Sequence, residues 1–300
     1  MSVVVPATNR PPTLERCLDA IRRATDGPDE LVVVDEPRSA GPAEARNTGV
    51  DQTTGDIIVF VDADVEVKPD VFEGFREAFE HDRELSAVFG SYDDDPGAPG
   101  SVSAFRNLLH HHVHQKSGGA AGTFWAGLGA IRREAFLSVG GFADHPIEDI
   151  ELGMRLAATG AAIQLDPSIQ GKHLKRWTLT EMVRTDFAVR GVPWVGLLLR
   201  HRQASTNLNL GWRERMSAAA CVAAVVCFFT RRHRFGLGAV ALFVAANVDF
   251  YRLLIRKRGA ATGLAGVALH AIHQLTAVSA LVVGISKFVL NRLGSKSDAT

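Results

Sequence analysis

Fourteen residues, Thr54 to Val67 (TGDIIVFVDADVEV), constrain the chain more than any other stretch. Ile57 to Val61 is an unbroken β-branched and aromatic run, the pattern of a parallel strand buried on both faces. It ends in Asp62-Ala63-Asp64, and on an extended strand carboxylates two apart project to the same side. Open α/β sheets place their ligand crevice off the carboxyl ends of the strands, where this pair falls. Two acids held together resist joint ionisation unless a cation lies between them. A hard divalent metal gripping a diphosphate is the natural occupant. The plainer alternative is a polar strand end leading into a loop.

Upstream, Ser2 to Val5 reads as a strand broken by Pro6. Pro12 opens a helix through Ala24, with Leu14, Cys17, Leu18 and Ile21 on one face. Leu31 to Val34 is a second apolar strand ending at Asp35. This βαβ unit, with a polar loop over Ala7 to Arg10, suits a nucleotide whose base or ribose donates to Asp35. No Gly-x-Gly-x-x-Gly is present, which disfavours a dinucleotide fold.

The formal net charge of zero is a cancellation. Residues 1–171 carry 14 Lys/Arg against 28 Asp/Glu, and residues 172–300 carry 19 against 5. An acidic body joined to a basic, apolar tail points to attachment at an anionic membrane surface. The basic charges flank apolar runs and form no continuous stripe, so nucleic acid is not an expected partner. Cys17, Cys221 and Cys227 imply no disulfide framework, which fits a cytosolic body. No signal peptide is expected, and no internal repeat is visible.

Four blocks in this order, SVVVPATNRPPTLERCLDAI, LVVVDEP, GPAEARNTG and TGDIIVFVDADV, resemble the nucleotide-sugar half of family 2 glycosyltransferases with the GT-A fold. The resemblance covers about the first third of the chain. It implies that Pro6, Thr8, Arg10 and Asp35 surround the nucleotide, that Arg46 and Asn47 lie near the sugar-phosphate, and that Asp62 and Asp64 handle ribose and metal. The divalent ion would be Mn2+ or Mg2+, and the donor a UDP- or GDP-linked sugar. One departure stands out: the family places a helix and a strand between its VDDGS-like turn and its ARN helix, whereas here only Glu36 to Gly41 join the two.

Beyond the acid pair, Pro69 starts a helix with Phe72, Phe75 and Phe79 at core spacing, and Leu85 to Phe89 reads as a strand. Asp93-Asp94-Asp95 reads as a flexible, solvated acidic turn. His110, His111, His112 and His114 fall on an expected helix from Val102 to Lys116. His110 and His114 share a face, but no second ligand pair follows nearby, so a surface or membrane-proximal helix is favoured over a dedicated metal site. Gly118 to Phe142 resembles the family's acceptor-side block. Gly127 lets backbone approach a ligand closely, and Trp125 is either a flat face for a sugar ring or a core aromatic. A helix from Ile147 to Thr159 carries Glu148 and Asp149 in its first turn, where the macrodipole keeps carboxylates ionised. Capping alone would explain them. The resemblance implies that the Glu148–Asp149 pair is catalytic, with Asp149 the base. Ala161 to Leu165 is the last expected strand. Lys172 to Trp177, KHLKRW, resembles the family's Gln-x-x-Arg-Trp motif with His173 in place of Gln. The resemblance implies His173 as a metal ligand and Arg176 and Trp177 as contacts to phosphate or acceptor, and it argues against the polymer-extruding subgroup.

From Thr178 the character changes. Amphipathic stretches interleaved with Trp194, Trp212 and arginines belong at a bilayer interface. Three uncharged segments follow, Met216–Thr230, Phe235–Val248 and Gly259–Ser286, of which the third, 28 residues long, is long enough to cross a bilayer. The expected organisation is a Rossmann-like, mixed-sheet α/β domain of GT-A type over residues 1–175, an interfacial amphipathic connector over 176–215, a transmembrane region of two or three helices over 216–290 and a disordered tail over 291–300. The expected function is metal-dependent, inverting transfer of a sugar to a lipid or lipid-linked acceptor by a non-processive, multi-pass protein of the cell (inner) membrane, with its catalytic domain in the cytosol. A catalytically silent membrane scaffold and a metal-dependent nucleotidyltransferase are the alternatives. The second would need a glycine- and lysine-rich phosphate loop, and Ala7 to Pro12 supplies only Arg10.

Overall fold

A computed structural model describes residues 1–201 and 211–297. It divides into two compact units, residues 1–99 with 107–176, and residues 100–106 with 177–300. The first is α/β. In chain order its elements are β1 (Ser2–Pro6), α1 (Leu14–Arg23), β2 (Glu30–Val34), α2 (Pro42–Asp51), β3 (Ile57–Val61), β4 (Val65–Val67), α3 (Val71–His81) and β5 (Leu85–Tyr92). Then come α4 (Ser101–Lys116), β6 (Gly119–Ala120), β7 (Leu128–Arg132), α5 (Arg133–Ser138), α6 (Glu148–Ala158) and β8 (Ala162–His173).

The main sheet runs β2-β1-β3-β7-β5-β8-β4, with β6 paired to β8. β1 is parallel to β2 and β3, and β7 enters antiparallel between β3 and β5, so the sheet is mixed as expected. Alternation along the strands sorts the core. Val3, Val5, Val59 and Val61 join Cys17, Leu18 and Ile21 of α1 and the α3 phenylalanines in one cluster. Phe60 points the other way, where its ring meets Phe142 edge-on at 5.0 Å and Phe136 at 5.8 Å.

Three local expectations change. The last strand does not stop at Leu165. Asp166-Pro167-Ser168 looks like a turn, and Asp166 does accept from the Ser168 N–H, but a register irregularity opposite Phe89–Ser91 absorbs it and β8 continues to His173. Asp93 is not a solvated turn residue. It is 2% exposed, its carboxylate meets Lys68 Nζ at 2.9 Å, and its carbonyl accepts from Asn107 Nδ2. The histidine helix is not a free surface either, since His114 is buried and its Nδ1–H donates to the Gly90 carbonyl at 3.1 Å.

The second unit is helical: α7 (Leu179–Arg184), a π-helical turn (Thr185–Gly191), α8 (Val192–His201), α9 (Trp212–Phe229), α10 (His233–Ala246) and α11 (Val248–Ser297). Thr178 and Glu181 form a reciprocal capping box that starts α7. Gly259, at φ 82° and ψ 169°, interrupts α11. Among the described residues one helix, within Val248–Arg292, is long and apolar enough to cross a membrane, and α10 is too short. The expectation of two or three crossings, and with it a multi-pass arrangement, is therefore not supported. α9 fails because Arg213, Glu214 and Arg215 crowd its first turn. Residues 291–297, expected to begin a disordered tail, continue α11, while 298–300 and connector residues 202–210 lie outside the described residues.

Candidate active site

Asp62-Ala63-Asp64 leaves the end of β3 as a turn rather than as extended strand, closed by Val65 N–H donating to the Asp62 carbonyl at 2.9 Å. Strand alternation therefore stops applying, and the two carboxylates take different partners. Neighbouring elements clamp the turn. Asp62 N–H donates to the Gly127 carbonyl at 3.0 Å, Thr13 Oγ1 donates to the Ala63 carbonyl at 2.9 Å, and Leu174 N–H donates to the Asp64 carbonyl at 2.8 Å. β4 then pairs antiparallel with β8 in a register that sets Val65 opposite His173. This pairing brings His173 beside Asp64 although 109 residues separate them. His173 Nε2 and Asp64 Oδ2 stand 3.7 Å apart.

Asp62 turns to Arg46. Arg46 is 5% exposed, and its Nη2 meets Asp62 Oδ1 at 2.7 Å while its Nη1 meets Glu148 Oε1 at 2.5 Å. Its guanidinium carbon lies 5.4 Å from the Phe142 ring centroid. One buried cation thus joins the turn after β3 to the start of α6. Arg46 was expected to contact the sugar-phosphate, but its Nη atoms are engaged internally. Asn47 is likewise committed, its side chain donating to the Phe142 carbonyl and accepting from the Phe142 N–H at 2.8 and 3.0 Å. Glu148, expected to share the catalytic role, is buried against Arg46. Asp149 is half-buried and accepts from the N–H groups of Ile150 at 2.8 Å and Ala126 at 3.4 Å.

Burial pushes the Asp62 and Glu148 carboxyls up; Arg46 opposes this, but nearby acids reinforce the rise. For Asp64 burial also acts upward, but His173 and Lys175 outweigh it and hold the carboxyl below its ordinary value. Three carboxylates, Asp62, Glu148 and Asp149, act on one buried arginine and Asp64 acts on Asp62, so the site carries surplus negative charge suited to a cation.

No three His, Cys, Asp or Glu side chains among the described residues form a ready-made metal cage. The Asp64–His173 pair still fits a divalent ion that draws its remaining ligands from substrate. Two donor atoms each about 2.1 Å from one ion lie about 3–4 Å apart. The 3.7 Å separation falls within that span. Asp62, expected as a second metal carboxylate, instead has one oxygen held by Arg46.

The remaining expected residues scatter. Thr8 Oγ1 donates to the Ala40 carbonyl at 3.0 Å, and exposed Arg10 pairs with Asp35 at 2.7 Å at the end of β1 and β2, where Pro6 closes the strand. Residues 35–41 alone link β2 to α2, so the joining segment is as short as the sequence indicated. Trp125 packs edge-on against Tyr92 at 4.9 Å and lies over Gly127, where a Cβ would come within 2.5 Å of the indole. Arg176 is exposed, but Trp177 is not an open acceptor surface. It is buried in the helical unit, with the Arg106 guanidinium 5.0 Å from its ring centroid. The antiparallel β4–β8 pairing and the Arg46 bridge escaped sequence reading. An alternating VEV after the acids was the signal for the first; nothing local announces the second.

The sequence profile described as Glycosyl transferase family 2 matches residues 2–37 and 36–140. An uncharacterized glycosyltransferase of Haemophilus influenzae is 23% identical over 190 residues, which are 52% of this chain and 61% of that relative, so the match spans under two thirds of its length. Among solved structures, the mannosyltransferase PcManGT from Pyrobaculum calidifontis, in complex with GDP-Man and Mn2+, aligns with a TM-score of 0.52 at 18% identity, covering 97% of this chain and 87% of that one. Glucosyl-3-phosphoglycerate synthase from Mycobacterium tuberculosis, with Mn2+, UDP-Glc and phosphoglyceric acid, aligns at a TM-score of 0.45 and 22% identity over 68% of this chain and 80% of that one. The mixed sheet, its acid-bearing turn and the profile match lead to one family: residues 2–140, just under half of the chain, form a glycosyltransferase family 2 domain on a GT-A fold.

Proposed function

We propose that the protein transfers a sugar from a nucleotide-sugar donor to a membrane-associated acceptor by a single inverting displacement. The observation that carries this is the Arg46 bridge. By holding Asp62 and Glu148 on one cation, it brings their neighbours Asp64 and Asp149 into the same site. Asp64 and His173 would hold a divalent metal, Mn2+ or Mg2+, which when bound supplies positive charge against the donor's diphosphate. The second oxygen of Asp62, with Pro6, Thr8, Arg10 and Asp35, borders the nucleotide and ribose, and Lys175 and Arg176 offer charge to phosphate.

Asp149 is the base. It lies in the first turn of α6, where two backbone N–H groups donate to its two carboxylate oxygens and orient it. It takes the proton from the acceptor hydroxyl, and the freed oxygen attacks the anomeric carbon from the face opposite the diphosphate. The bond to the diphosphate breaks with its electron pair, and the configuration inverts. A lipid phosphate acceptor arrives already ionised, and Asp149 then only orients it.

Membrane association rests on the helical unit. Phe229, Phe235 and Leu264 are 86%, 71% and 77% exposed, more apolar surface than a water-facing helix presents without a purpose. With one crossing helix, the reading is a membrane-anchored enzyme of the cell (inner) membrane with its α/β unit in the cytosol.

The test is a panel of nucleotide-sugars, starting with GDP-mannose and UDP-glucose, scored for Mn2+-dependent hydrolysis and thermal stabilisation of the detergent-solubilised full chain. At least one donor stabilises the wild type, and Asp64→Ala loses the Mn2+-dependent part. Metal-independent binding that survives Asp64→Ala unchanged sinks the metal assignment. A chain that binds donor but never turns it over is a silent scaffold.

A further inference from the structure

The histidines of α4 are absorbed by nothing so far, yet they line up behind the candidate metal ligand. The His173 imidazole lies almost parallel to the Tyr92 ring, 10° between planes and 4.2 Å between centroids. His110 packs on the same tyrosine at 4.3 Å, and His114 on His110 at 3.8 Å. Trp125 closes the cluster, 4.9 Å from Tyr92 and 4.6 Å from His110. Hydrogen bonds fix the base of the stack. His111 Nδ1–H donates to the Tyr92 carbonyl at 2.8 Å and His114 Nδ1–H to the Gly90 carbonyl at 3.1 Å, so two turns of α4 hold the last residues of β5.

We propose that Tyr92, braced by His110 and Trp125, is a positioning residue that holds the His173 imidazole in the orientation presenting Nε2 to Asp64. The β4–β8 register fixes the His173 backbone, but a backbone alone leaves an imidazole free to turn about two side-chain torsions. A flat partner stacked at 10° removes that freedom without drawing on either ring nitrogen. The residues that orient a metal ligand matter nearly as much as the ligand, and losing one typically weakens metal affinity 10–100-fold. A stack gives no charge and no hydrogen bond, so the low end, about tenfold, applies. The inference rests on the proposed metal role of Asp64 and His173.

The test uses the full chain in detergent, with Mn2+ titrated in excess GDP and, separately, excess UDP. Electron paramagnetic resonance reads affinity, and electron spin-echo modulation reads imidazole nitrogen coupled to the bound ion. Wild type shows the nitrogen coupling and His173→Ala loses it. Tyr92→Phe keeps affinity and coupling, because the ring remains. Tyr92→Leu, similar in bulk but not flat, binds Mn2+ about tenfold more weakly with the coupling diminished. His110→Ala leaves Tyr92 in place but unbraced and gives a smaller loss in the same direction; it carries the test should Tyr92→Leu not fold. Wild-type affinity and coupling in Tyr92→Leu, or in His110→Ala where it stands alone, overturn the positioning role and leave the metal reading intact. No nitrogen coupling in the wild type overturns both.

Discussion

Arg46 in the α/β unit and Arg106 in the helical unit are each nearly buried, with side chains 6% and 11% exposed, and each holds an acid. Arg106 meets Asp186 at 2.9 Å, and the same carboxylate takes His273 Nδ1 at 2.8 Å. Around them are rings, Trp177 against Arg106 and Phe105 beside His273. The Asp186 carboxylate is fully answered there, with Arg190 acting on it beside His273 and Arg106. Burial pushes the Asp186 carboxyl up, but His273 and Arg106 outweigh it and the net effect is downward. At Arg46 burial, reinforced by the neighbouring acids, outweighs the arginine, and Asp62 ends above its ordinary value. A balanced buried cluster fastens helices. An unbalanced one is held together by its fold and leaves negative charge that a bound cation can answer.

The largest effect expected from breaking this contrast is on turnover. Asp149→Asn keeps size and one of the two backbone N–H contacts but removes the base, so transfer to a hydroxyl acceptor falls by about two to four orders of magnitude while donor affinity holds. Equal turnover in wild type and variant would return Asp149 to a capping role.

Removing either arginine alone strands buried carboxylate. Arg46→Met and Arg106→Met should each cost about 3–5 kcal/mol, read as denaturant midpoints in detergent. The two sites then part company when the whole cluster is neutralised. Arg106→Met with Asp186→Leu and His273→Phe should regain most of the loss and keep turnover, since apolar packing commonly replaces a buried ion pair. Arg46→Met with Asp62→Leu and Glu148→Met should regain stability and lose turnover. If both triple variants stay active, the contrast between fastener and site collapses.

The smallest effect concerns His114, which burial pushes down to about 4. Its ordinary value is 6.5, so between these pH values the unfolded chain binds a proton that the folded chain refuses. Its contribution is complete above about pH 6.5 and is lost as pH falls toward 4, at most about 3 kcal/mol. His114→Phe should flatten that part of the stability profile. An unchanged slope would mean the imidazole is accessible to protons.

Much of this was legible because it is local. The β-branched runs of β1, β2 and β3, the Phe72/Phe75/Phe79 stripe and the acids after β3 each announce themselves within ten residues. What was not legible depends on chain returning from far away. The strand alternation of Asp62 and Asp64 failed because a turn begins at Asp62, and that turn exists because β4 pairs with β8 more than a hundred residues on. Asp93 reads as solvent-facing until Lys68 and Asn107 arrive to satisfy it. The α4 histidines look like a surface run because their partners, Tyr92, Trp125 and two β5 carbonyls, sit on other elements. Crossing count was misread for a different reason: α10 is too short to cross, and three charges crowd the first turn of α9.

The interruption of α11 at Gly259 sets the gearing of its two halves. Only glycine takes φ 82° there without strain, and the segment before it ends in Arg256, Lys257 and Arg258. Those cations sit where carbonyls have lost their helical donors, so the first half is terminated electrostatically as well as sterically. The apolar half that follows starts a fresh rotational phase, independent of the basic half. One residue inserted after Gly259 would swing every apolar side chain beyond it by about 100° while leaving the arginines where they are. The orientation of the apolar half is thus dialled at a single peptide rather than inherited from the basic half of the fifty-residue α11.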